Sequence, residues 1–236
     1  MTPDVRTPAE VADDGVSIEK IVRTRRRTLS IEIDADGLVV VRAPLSVGVG
    51  RIRQIVNLKR SWIEKRQRIA RDRYPQTLAK TCREGEALLF LGQPYEIRAV
   101  DEAPGPLSFD GAFRVLRSDL CRARELMARW YREEAFRTIA ERASWYAAQT
   151  NLRYRGIRVT EAKRRWGSCN FGGDLSFSWR LIMAPLEVVD YVVVHELVHL
   201  ERKDHSRIFW ARVAQILPEY YLRRKWLREN GHLLVL

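Results

Sequence analysis

Residues 192–210, VVVHELVHLERKDHSRIFW, constrain this chain more than any other stretch. They hold three of its four histidines, two of them in His195-Glu196-Leu197-Val198-His199. On a helix, residues four apart share one face about 5–6 Å from each other, so both imidazoles can be aimed at one ion. Glu196 lies ~100° around the helix from His195, close enough to reach a water on that ion without being a ligand. The residue types suit the chemistry: neutral imidazoles donate lone pairs, one metal position stays open, and a carboxylate takes a proton. The flanking Val192, Val193, Val194, Leu197, Val198 and Leu200 predict a buried helix, where two unpartnered histidines would be costly. The bland alternative is a buried pair hydrogen-bonded within the core.

A third donor must come from beyond the pair. His205 lies six residues past His199, ~240° of helix rotation, so the chain has to bend after about Glu201 for His205 to join. ERKDHS offers polar residues for that bend, and Asp204 or Ser206 can cap the helix predicted by SRIFWARVAQIL. Enzymes with H-E-x-x-H-x-x-G-x-x-H keep the same spacing and use glycine at the turn, where this chain has Arg202. Glu201 competes for the third place, because a carboxylate can also complete a catalytic zinc site. Three histidines and a water describe an open, catalytic zinc site; structural sites are closed and mostly cysteine-rich.

Composition frames these readings. The chain has 236 residues, 46% hydrophobic and 31% charged, enough for a buried core in one large domain or two small ones. No apolar run reaches the ~20 residues of a bilayer span, and the first residues, MTPDVRTPAEVADDG, lack a signal peptide's apolar stretch. Cys82, Cys121 and Cys169 are odd in number and far apart, which points to a reducing cytoplasm rather than a disulfide framework. A net charge of +12 leaves nucleotides and nucleic acids open as partners, although the arginine-rich composition equally fits a solvated surface. Arg164 and Arg165 would suit a phosphate or an ion-pair partner.

Periodicity predicts a hairpin from 31–33 and 38–41 across the turn DADG, then an amphipathic helix from Gly48 with an apolar stripe of Ile52, Ile55, Val56, Trp62 and Ile63. A second hairpin is expected to turn at Gly92-Gln93-Pro94. A long helix is expected over 119–150, capped by Ser118 and burying Trp130, Phe136, Ile139, Trp145 and Tyr146. Strands near 157–160 and 175–179 flank the loop KRRWGSCNFGG, and Pro185 opens the histidine helix. The expected organisation is a disordered tail over 1–16, a β-rich region with one helix over 17–117 and a metal-binding region over 118–236, with 17–236 as one unit.

The succession RRWGSCN, LSFSWRLIMAP, VVDYVVVHELVHL, DHSRIFW and LPEYYLRRKWL resembles the YgjP-like family of zincin-like metallopeptidase domains, related to SprT-like and WLM-like peptidases. The likeness spans about residues 20–230 and is most specific over 166–210. It implies an α+β fold, with a zincin-like core whose HExxH helix lies beside a small mixed sheet, preceded by a β-rich N-terminal region. It also implies one zinc ion held by His195, His199 and His205, with Glu196 as catalytic base and a peptide or protein as substrate. The segment Trp166-Gly167-Ser168-Cys169, with Arg165 before it, would then sit near the cleft, where an edge strand can receive an extended peptide. Alternatively Trp166 and Cys169 are core and Gly167 makes a turn. Asp190 and Tyr191 could support the ligands or simply pack.

These readings lead to a zinc-dependent hydrolase in which Glu196 deprotonates zinc-bound water for attack on a peptide carbonyl. Arg165, Tyr191 and His232 are the candidates for steadying the oxyanion. Two alternatives remain open at this stage: a metal-dependent nucleoside triphosphate pyrophosphatase, and a basic nucleic-acid-associated protein with structural zinc.

Overall fold

The structure, a computed structural model, describes residues 16–25, 27–33, 37–73, 80–163 and 165–236. Its contacts divide the chain into two units, Met1–Leu78 and Ala79–Leu236. In the first, β1 (Lys20–Thr24), β2 (Ser30–Ile33) and β3 (Val39–Pro44) form a sheet in the order β1-β3-β2. β2 and β3 are the expected hairpin, and the centre of its turn, 34–36, lies outside the described residues, as do 1–15 of the expected tail. The expected single helix is two, α1 (Val49–Leu58) and α2 (Arg60–Arg73), because Lys59 leaves helical geometry at φ −101° and ψ 12°. Ile52, Val56 and Ile63 are buried with Val39, Val41 and Ala43 in a small separate core. Ile55 is only half-buried and Trp62 is exposed.

The second unit is α+β and contains the histidine helix. β4 (Ala87–Phe90), β5 (Gln93–Val100), β6 (Leu107–Phe109) and β7 (Phe113–Leu116) form a sheet in the order β4-β5-β7-β6. The sequence puts a boundary at 117/118. The contacts put it at 78/79, because this sheet packs on α3 (Ala123–Thr150): the Tyr131 hydroxyl donates to the Leu89 carbonyl at 2.7 Å, and Phe90, Phe109, Phe113 and Trp130 pack edge-on. α3 starts later than expected, after a 3-10 stretch over Arg117–Arg122, and Ser118 does not cap it. Its buried stripe is Ala123, Met127, Tyr131, Ala135, Ile139, Ala143 and Tyr146. Alanines at three of these steps let neighbours approach closely, and the bulky Phe136 and Trp145 fall outside the stripe and are about half exposed.

A three-stranded mixed sheet carries the cleft. It has the order β8 (Gly156–Thr160), β10 (Asp174–Ser178), β9 (Gly167–Cys169), with β8 parallel and β9 antiparallel to β10. β9 lies inside the stretch expected to be loop. Asn170 closes the β9–β10 turn: its amide donates to Asp174 at 2.9 Å while its oxygen accepts from the Asp174 N–H at 2.8 Å. Asp174 also receives a two-pronged Arg155 at 2.8 and 2.6 Å.

After a 3-10 stretch over Trp179–Met183 comes α4 (Leu186–Val198), followed by α5 (Arg207–Ile216) and α6 (Tyr220–Asn230). The six valines of α4 are indifferent helix formers, so packing on all sides sustains this helix. All but Leu186, Glu187 and His195 of its residues are buried. Its start is fixed by the β4–β5 turn, which sits one residue earlier than expected, at Leu91 and Gly92 with φ 47° and 81°. Gly92 donates to the Met183 carbonyl at 3.1 Å, and a Cβ there would lie 2.8 Å from Pro185. Among the described residues no helix is long and apolar enough to cross a membrane.

Candidate metal centre

α4 brings His195 and His199 to one face and stops at Val198, earlier than the expected bend after Glu201. The chain then turns through 199–206 without glycine and without any left-handed residue. Ser206 caps α5, accepting from the Phe209 N–H at 3.5 Å, and this reversal carries His205 back to the pair. The nitrogens of His195, His199 and His205 lie within 4.8 Å of one another. Glu201 is drawn elsewhere, into an ion pair with Arg212 at 3.2 Å.

Phe209, fully buried on α5, holds the three rings in place, with its centroid 4.9, 4.6 and 4.8 Å from those of His195, His199 and His205. His199 Nδ1 lies 2.9 Å from the Arg202 carbonyl; as the donor there, it leaves Nε2 free to ligate. Burial first, then the neighbouring His199, His205 and Arg224, push His195 down to about 3, and burial likewise lowers His199. Unprotonated imidazoles are the form that binds metal.

These residues fit a metal ion. The Nε2 atoms of His195 and His205 face each other at 3.1 Å, and the buried Nδ1 of His195 has no hydrogen-bond partner. Two tetrahedral ligands on a metal with bonds near 2.0–2.1 Å stand about 3.3 Å apart, so the observed separation is that of a donor pair converging on one cation. Among the described residues the ligand group comprises these three histidines.

A cleft of about 270 Å3 opens on them, lined by Gly167, Ser168, Cys169, His195, Glu196, His199, Lys203 and His205. Glu196 is 4% exposed, and burial pushes its carboxyl up to about 8, against the pull of Arg165. Gly167 makes that burial feasible: a Cβ there would stand 2.6 Å from both Cγ and Oε1 of Glu196. Burial raises the Cys169 thiol, which lies 3.4 Å from the Lys203 ammonium.

Of the residues expected near the cleft, Ser168 and Cys169 line it, and Arg165 is exposed beside it. Trp166 does not line it; it packs against the core, with its indole beside Gly231. Asp190 is held by Arg142 at 2.6 and 2.7 Å, tying α4 to α3. Tyr191 is buried with its ring 5.9 Å from that of His195, and neither it nor His232 lines the cleft. Arg164 lies outside the described residues. Sequence reasoning missed Lys203 and Phe209, and it set Gly167 in the segment near the cleft without its close approach to Glu196. A glycine between strand residues was the available signal for Gly167, since it often marks a close approach.

Three histidines and one buried carboxylate at the mouth of an α+β unit define a candidate metal centre. The chain belongs to the YgjP-like family, metallopeptidase domain, whose model matches residues 27–230, and it is by that membership a metallopeptidase-type hydrolase. Among solved structures, the metallopeptidase zymogen abylysin of Pyrococcus abyssi is similar over 41% of this chain and 96% of its own, at 18% identity and a TM-score of 0.37. No curated protein matches the chain.

Proposed function

We propose that the protein is a zinc-dependent metallopeptidase with a zincin-like core, in which His195, His199 and His205 hold one zinc ion and Glu196 is the general base. The observation that carries this reading is the convergence of three histidine nitrogens within 4.8 Å beside a buried glutamate in an open cleft. Bound zinc supplies Lewis acidity and makes a water acidic enough to lose its proton near neutral pH. Glu196 takes that proton and later delivers it to the leaving amine. β9, at the edge of its sheet and along the cleft, offers backbone groups to an extended peptide, which would lie as an added strand. A cytoplasmic setting suits the three cysteines, all free thiols.

The test compares zinc-loaded wild type with Glu196→Gln on a peptide library and on nucleoside triphosphates. Both proteins should hold one zinc per chain by metal analysis. The variant should lose peptide turnover by about 100-fold or more, the usual weight of a positioned base. A fully active Glu196→Gln protein would rule out this mechanism, and hydrolysis of nucleotides without peptides would move the substrate to the phosphate class.

A further inference from the structure

Three cations border the histidine cluster: Arg165 ahead of β9, Lys203 in the bend and Arg224 on α6. None forms a salt bridge among the described residues, although Arg165 reaches Glu196 electrostatically. Several arginines elsewhere are paired with acids, as in Arg142–Asp190, Arg155–Asp174 and Arg212–Glu201. Lys203 already donates to the Asn170 carbonyl at 3.0 Å and contacts Cys169. Arg224 differs, because it is held by stacking alone. Its guanidinium carbon stands 4.5 Å over the Trp210 ring, and Tyr220, one turn earlier on α6, stacks on the same indole at 5.3 Å. A guanidinium over an aromatic face is held by the ring's charge distribution and can keep its N–H fork free for a planar anion.

Trp210 in turn lies 5.7 Å from His195 and 5.8 Å from His205, centroid to centroid. Arg224 is thus one indole away from the metal-binding rings. A bare positive charge there opposes the binding of a metal cation, and among the described residues Glu196 is the one carboxylate lining the cleft to offset it. An anion on the substrate would balance the charge.

The geometry points to Arg224, stacked on Trp210, as the anchor for a carboxylate of the substrate, either an acidic side chain or a free C-terminus. This inference rests on the peptidase reading. Stacking separations of 4.5 and 5.7 Å keep the guanidinium within about 10 Å of the histidines, and an extended peptide advances ~3.4 Å per residue. The carboxylate therefore belongs within about three residues of the bond that is cut.

The experiment uses the zinc-loaded full chain carrying Glu196→Gln, so that binding is read without turnover. Three fluorescent peptides of one sequence are compared by anisotropy: one with glutamate and an amidated end, one with glutamine and an amidated end, and one with glutamine and a free C-terminus. A carboxylate peptide should bind about tenfold more tightly than the neutral one, as a charge-assisted fork contact warrants. The acid that carries the gain identifies the source. Adding Arg224→Gln should bring the ratio close to one, and Arg224→Lys, which keeps the charge but loses the fork, should retain only part of it.

Equal binding of all three peptides, or a preference that survives Arg224→Gln, overturns the anchor. So does Arg224-dependent binding of a nucleoside triphosphate without any preference among the peptides. Wild-type turnover separates the two readings. Peptides cleaved without acid preference sink the anchor and leave the peptidase, whereas Arg224-dependent acid binding without cleavage sinks the peptidase and leaves the anchor.

Discussion

At Gly167 a single hydrogen atom decides where the Glu196 carboxylate sits. A methyl group there would meet Glu196 at 2.6 Å, well inside van der Waals contact, and strand backbone on one side faces helix on the other. Gly167→Ala therefore displaces the carboxylate, and misplacement of a reacting group by about 1 Å can lower a rate ~100-fold. We expect kcat to fall by about that factor, with zinc content unchanged by metal analysis. Glu196→Asp is one methylene shorter and clears the added methyl, so it should cost less kcat in the Gly167→Ala background than in wild type. Equal costs in the two backgrounds would show that Gly167 does not position the base.

At the scale of elements, the site is a helix set against a short hairpin. α4 supplies two imidazoles and the glutamate, β9 supplies the opposite wall, and α5 presses Phe209 against the rings. The β9–β10 turn depends on Asp174, which Arg155 and Asn170 hold below the ordinary carboxylate value of 3.8. A carboxyl lowered in the folded state stabilises the fold above its unfolded pKa and loses that contribution as pH falls through the folded value. Asp174→Asn should therefore melt at a lower temperature than wild type at neutral pH. The gap should narrow as pH drops below 3.8, which melting curves across pH would show. A gap independent of pH would mean that the ion pair does not hold the turn.

On the scale of the whole molecule, each unit has its own apolar core, and the larger one surrounds α4 with buried side chains from α3, β10 and the 3-10 stretch before it. That core is built from apolar side chains and includes none of the three histidines, which predicts a fold that does not depend on a bound ion. We expect the chain stripped by a chelator to keep its far-UV circular dichroism and a cooperative melt. Added zinc should then raise the melting temperature by mass action, contributing about 2.7 kcal/mol at 100 times Kd. Collapse of the fold on chelation would instead favour a structural zinc, as in domains whose metal binding is their folding energy.

The sequence by itself determined that α4 would be a buried helix with two imidazoles on one face, because six valines and a four-residue spacing leave few alternatives. It also indicated the mixed α+β character, the hairpin of β2 and β3, and the need for a bend to recruit His205. Only the tertiary structure brings His205 beside the pair and leaves Glu201 away from it, since the bend after Val198 uses ordinary backbone angles that no glycine announces, while Arg212 pairs with Glu201. β9 was hidden because three residues are too few for a pattern of alternation, and its pairing partner β10 is what makes it a strand. Gly167, Phe209 and Arg224 acquire their meaning from contacts across the fold: a close approach, a ring platform and a stacked cation. Local spacing reports which side chains share a face, but contacts between distant segments are set by how whole elements pack.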